Sequence, residues 1–188
     1  MKRLVVTRES TCLQPILELI EEQKHRTLAL WRIECAEHVL PIFEKKYPQD
    51  NRPREALEAA KAWMRGKIKM PVAKKAAHAA HNAATEVANE DPAACAAARA
   101  IGHAVGTIHV ETHAIGVVMY AITAFLYGAE QEDADKVITK ELGWFYDRLL
   151  YWEANTDSID TTWASFLLKD NVPNKEKLLR QKKEQKPQ

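Results

Sequence analysis

The chain lacks an excess of charge of either sign. Its 188 residues carry 27 Lys and Arg against 26 Asp and Glu, which gives a formal net charge of +1. A balance this even argues against the broad basic surface that draws a protein to nucleic acid or to anionic lipid. We therefore expect neither nucleic acid nor a membrane as a partner.

Cysteine is scarce, and long hydrophobic runs are absent. The three cysteines, Cys12, Cys35 and Cys95, form no CxxC motif, which is typical of reduced thiols in a cytosolic protein. The apolar part of the initial MKRLVV is too short for a signal peptide. The most apolar run, residues 114–127, is too short to span a bilayer. These absences predict a cytoplasmic protein.

The short motifs of common enzymes are also missing. The sequence has no GxSxG, no GxxxxGK[ST] and no GxGxxG. Cys35 and His38 lie one helical turn apart, but the neighbouring Trp31 and Val39 favour burial over a nucleophilic pair. We therefore name no catalytic and no cofactor-binding residue.

Hydrophobic spacing of helical period is present along most of the chain, and it predicts an all-α protein. We expect a single-domain helical bundle of about six or seven helices over residues 1–168. Lys and Arg dominate residues 169–188, with almost no apolar content, and this composition predicts a basic, disordered tail. The main predicted helices cover residues 11–24, 26–47, 72–89, 93–127 and 133–155, with a further helix starting at Pro53.

An alanine-rich antiparallel hairpin over residues 72–127, turned by NEDP, is predicted at the centre of the bundle. This region holds five of the seven histidines. On a continuous helix His113 would lie about 15 Å beyond His103, so the five cannot share one site. They fall into two groups, the first with His78, His81 and His103 and the second with His109 and His113, which His38 or Cys35 could join from another helix.

A metal site is the alternative interpretation of these histidines. His109 and His113 have the i, i+4 spacing that suits zinc, but two ligands are only half of a tetrahedral set. Glu111 lies two residues from each and points away from their shared face, which excludes the zincin arrangement. We expect core histidines that form hydrogen bonds between helices, and no cofactor, with zinc or another transition metal as the alternative.

Four stretches of the chain together resemble a known family. They lie within residues 30–127 and read LWRIECAEHVLPIFEKKYP, DNRPREALEAAKAW, KKAAHAAHNAA and AAARAIGHAVGTIHVETHAIG. In this combination they are similar to the bacterial and archaeal putative immunity proteins, which are small helical proteins of toxin–immunity type. The resemblance implies an α-helical domain that binds and neutralises a cognate protein toxin. It carries over no catalytic residue.

We therefore predict a non-enzymatic protein-binding module of the toxin–immunity type. One alternative is a histidine-dependent metal-binding protein or metal-dependent enzyme, and another is a structural helical module that forms homo-oligomers. A binder is expected to present a surface for its partner, and an enzyme a pocket where the histidines converge. A structural module is expected to have a large interface with its own copies.

Overall fold

A computed structural model of the protein describes residues 4–106, 111–129, 133–170 and 172–184. These residues form eight α-helices, where we expected six or seven, together with four short 3₁₀ helices and no strand. The prediction of an all-α protein is confirmed. The helices are α1 Gln14–Glu22, α2 His25–Glu44, α3 Arg52–Met64, α4 Met70–Glu86, α5 Pro92–Gly106, α6 Ala114–Gly128, α7 Ala134–Asn155 and α8 Lys175–Glu184.

Several helix ends follow directly from the local sequence. Pro53 and Pro71 lie in the first turns of α3 and α4. Amides in a first turn have no acceptor within the helix, so the missing amide hydrogen of proline costs no helical hydrogen bond there. Asp133 caps α7 because its side chain accepts a hydrogen bond from the amide of Asp135. Gly128 is the last residue of α6. Local chemistry therefore places these ends within a few residues of their predicted positions.

Alanine lets the middle of the bundle pack closely. Helix α5 contacts α2, α3, α4 and α6. Its alanines Ala94, Ala97, Ala98 and Ala104 are fully buried. A methyl side chain allows neighbouring backbones to approach more closely than a longer side chain would. Helix α5 is therefore surrounded by helices that come both before and after it in the chain.

The predicted continuous helix over residues 93–127 is wrong. Helix α5 ends at Gly106, and α6 begins at Ala114 and packs against α5, so the chain doubles back. After Gly106 the alanine-rich sequence gives way to TIHVETH, whose β-branched and polar residues favour a helix less than alanine does. The separation of about 15 Å expected between His103 and His113 on one straight helix therefore does not apply.

Helix α8 lies in the stretch for which we expected a disordered tail. The side-chain amide of Asn174 donates to the carbonyl oxygens of Ile20 at 2.8 Å and Gln23 at 3.0 Å, at the end of α1. Arg180 pairs with Glu21 at 2.6 Å. Composition alone missed this helix because its partners are distant in sequence. The division of the chain at residue 168 stays a prediction.

Within the described part of the chain, none of the helices combines the length and the apolar character needed to cross a lipid bilayer.

Candidate functional site

Two of the predicted histidines meet where three helices pack together. The rings of His81 on α4 and His103 on α5 lie edge to face with centroids 5.3 Å apart, and His103 stacks on Tyr120 of α6 at 4.9 Å. Gly102 makes room for the His81 ring, since a Cβ there would lie 2.7 Å from its Cε1 atom. Burial, helped by the positive charge of Arg99, lowers the pKa of His81. The ring is therefore neutral at pH 7 and packs between helices.

His78, the third histidine of the first predicted group, forms no metal-binding arrangement with His81 and His103. His78 is exposed on α4. Among the residues that the structure describes, no group of three or more His, Cys, Asp or Glu side chains is placed to hold a metal ion. His109 lies outside the described residues, and so does the side chain of His113, whose backbone ends the 3₁₀ helix Glu111–His113. A metal site at this second pair stays a prediction.

His38 has a partner that sequence spacing did not indicate. Its Nε2 lies 2.8 Å from Oε2 of Glu141, and its ring stacks on Trp144 with centroids 3.8 Å apart. Both partners lie on α7, so these contacts join α2 to α7. Cys35, one turn before His38, is fully buried, and burial raises the pKa of its thiol. A thiol in this state is not an activated nucleophile.

The arginines of the Arg52-Pro53-Arg54 motif bind acidic residues of neighbouring segments. Arg52 bridges Asp50 at 2.7 Å and Glu86 of α4 at 2.5 Å. Arg54 pairs with Glu44 of α2 at 2.5 Å. Their hydrogen bonds raise the pKa of Arg52 and lower that of Asp50. The motif therefore ties the start of α3 to α2 and α4.

A cavity of about 860 Å³ lies between the end of α1, the start of α8 and the segment around Phe166. Trp63 and Phe166 line one part of it, with ring centroids 5.5 Å apart. Glu111 also lines it and is 5% exposed, with Oε1 3.4 Å from Nδ1 of His25. Its Oε2 accepts no hydrogen bond from the described residues, and Nζ of Lys175 lies 4.0 Å away. This carboxylate oxygen thus has an ion-pair partner at 4.0 Å but accepts no hydrogen bond from the described residues.

Arg32 places a buried positive charge in the core, and Glu111 influences it electrostatically. It is fully buried, and its Nε donates to the carbonyl oxygen of Leu28 at 2.9 Å. Burial lowers the pKa of Arg32 to about 10, and the negative charge of Glu111 opposes this shift. A buried charge needs an opposite charge or several hydrogen bonds to remain ionised. The carboxylate of Glu111 at the cavity wall thus interacts electrostatically with the buried guanidinium of Arg32.

Ion pairs between α1 and α8 close one side of this cavity. Arg180 contacts Glu21, and Lys177 contacts both carboxylate oxygens of Glu22 at 2.9 and 3.0 Å. Glu176 pairs with Arg8, so in this contact α8 supplies the acidic side chain. Sequence reasoning missed this site because its residues come from distant segments and share no local spacing.

Most of the helical part of the chain is similar to a known protein family. A family model described as Imm-5 like putative immunity protein matches residues 18–150, well over half of the chain. The match runs from α1 into α7 and includes Glu21, Glu22 and Glu111, whereas α8 lies outside it. No curated protein and no solved structure matches the chain. The chain belongs to the Imm-5 like putative immunity protein family.

Proposed function

We propose that this protein is an immunity protein that binds a cognate protein toxin in the cytoplasm and blocks it without chemistry of its own. The observation that carries the proposal is the family match over residues 18–150. The packing of the described histidines supports it. His81, His103 and His38 contact aromatic rings and a carboxylate of neighbouring helices, which suits a stabilising role.

We also infer that α4 and α5 form the central hairpin of the bundle and carry little of the partner surface. Both helices contact α3, and α5 contacts α2 and α6 as well. The alanines along α4 and α5 are largely buried. A surface that recognises a partner needs side chains that reach solvent and complement the partner's charge. The outer elements, α1 among them, supply such side chains.

Co-expression tests this function directly. The full chain is produced in a bacterial host together with the product of each adjacent gene that arrests growth. An immunity protein is expected to restore growth and to form a stable complex of defined stoichiometry, measured by size-exclusion chromatography with light scattering. If neither rescue nor a complex is found for any toxic neighbour, the proposal is wrong.

Metal content separates this proposal from the metal-dependent alternative. Untagged protein purified without chelators is expected to contain far less than one transition-metal ion per chain, measured by mass spectrometry. About one zinc per chain, lost in the His109→Ala variant, would instead favour a metal site at the second histidine pair.

A further inference from the structure

The acidic end of α1 and the neighbouring Glu111 form a surface that we call the acidic groove, defined by Glu21, Glu22 and Glu111. Glu21 and Glu111 are 6% and 5% exposed. Each acid faces a cation of α8. Arg180 lies 2.6 Å from Glu21, Lys177 lies 2.9 Å from Glu22, and Lys175 lies 4.0 Å from Glu111. One helix therefore supplies all three of these cations.

Beyond Glu176, helix α8 is held in the groove by ion pairs whose cations, Lys177 and Arg180, reach solvent. The side chains of Lys177 and Arg180 are 39% and 49% exposed. Leu178 and Leu179 also remain more than a third exposed. Ion pairs between exposed side chains contribute little to stability, and a helix of 10 residues is marginal without tertiary packing. The stronger anchors, Asn174 and Glu176, lie only at the beginning of α8.

The groove and its cover also differ in their relation to the family. The three acids lie within the matched residues 18–150, whereas α8 lies outside them. A cavity of about 860 Å³, lined by Trp63 and Phe166 and by Leu178 of α8, lies beside this helix. The groove is thus part of the family domain and is incompletely filled by the chain's own helix.

We infer that the acidic groove is the partner-binding surface, and that it takes up a basic amphipathic helix of the partner protein in place of α8. The partner helix presents Lys or Arg side chains along one edge to Glu21, Glu22 and Glu111. It directs an apolar side chain toward Trp63 and Phe166. This inference rests on the proposed immunity function and assigns the surface that performs it.

A synthetic peptide of residues 172–184 tests the groove without knowledge of the toxin. In the full-length chain, K177E/R180E places like charges opposite Glu22 and Glu21 and should release α8. The labelled peptide is expected to bind this variant about tenfold more tightly than wild type, and less tightly at high salt, measured by fluorescence anisotropy. Adding E21Q/E22Q should abolish that gain. Equal binding to wild type and K177E/R180E would overturn the inference.

A matched control and a mass measurement complete the test. K182E also replaces a cation of α8 with an anion, but Lys182 shows no ion pair with the described residues. It should therefore leave the peptide affinity at the wild-type value. Circular dichroism must show that every variant is folded. A stable wild-type dimer in light scattering would assign the groove to α8 of a second copy and overturn the inference.

Failure of this inference can be distinguished from failure of the proposed function. If a cognate toxin binds E21Q/E22Q as tightly as wild type, the groove is not the toxin-binding surface, although the immunity function stands. If the peptide binds as expected but no toxin is found by co-expression, the basic preference of the groove is supported and the immunity function is contradicted.

Discussion

Gly102→Ala should destabilise the protein, although alanine normally favours a helix over glycine. In α5 a Cβ at position 102 would lie 2.7, 2.8 and 2.9 Å from three atoms of the His81 ring. Optimal contacts between carbon atoms are about 3.5–4.0 Å, so the ring must move. Overpacking of this kind costs about 1–3 kcal/mol, and the gain in helix propensity offsets up to about 1 kcal/mol. We expect the free energy of unfolding to fall by about 1 kcal/mol.

Urea unfolding followed by circular dichroism measures this change, with two comparisons. Gly143 of α7 is exposed and has no neighbouring group of the described residues within 4 Å of an added Cβ. Gly143→Ala should therefore raise the free energy of unfolding by about 0.5–1 kcal/mol. In the double variant H81A/G102A the clash is absent, so the cycle should show a coupling of about 1–2 kcal/mol. Stabilisation by Gly102→Ala equal to that of Gly143→Ala would refute the steric argument.

Three further predictions concern single groups. Arg52 lowers the pKa of Asp50, so the stability this pair contributes is present above about pH 4 and lost as the pH falls below it. Arg52→Ala should lower the free energy of unfolding by at most about 1 kcal/mol at pH 7. Urea titrations should show this loss becoming smaller toward pH 3, and a loss that grows would contradict the prediction. The pKa of His81, measured by NMR titration, should lie below the ordinary histidine value of 6.5. Arg99→Gln should raise this pKa only in part, because burial is the larger cause of the shift. A wild-type pKa above 6.5 would contradict the described burial of the ring. A thiol reagent should label Cys12 rapidly and the two buried cysteines only on unfolding, and fast labelling of more than one thiol would count against the described core.

Regular helices with a clear apolar stripe could be predicted from the sequence. The spacing over residues 133–155 predicts a helix, and α7 runs from Ala134 to Asn155 with Asp133 as its cap. Pro53 was expected in the first turn of a helix and lies there in α3. These features depend on residues that are close in sequence, so periodicity and capping rules suffice to find them.

Features that depend on distant residues could not be predicted. The change from alanine to TIHVETH after Gly106 lowers the helix propensity locally, but only the packing of α6 against α5 shows that the chain turns back there. Spacing placed Glu111 away from the neighbouring histidines, but its contacts with His25 and Lys175 come from segments more than 60 residues away. The composition of residues 169–188 predicts a disordered tail because it does not show the acidic end of α1, where Glu21 and Glu22 pair with cations of α8.

The pairing of Arg180 with Glu21 also has a consequence for protein synthesis. The two residues are 159 positions apart. At about 5–20 residues per second, a ribosome makes α8 roughly 8–30 seconds after α1. During that interval the matched family region is completed while the acidic groove is still uncovered. For the partner helix that we infer to bind the groove, this interval precedes any competition from α8.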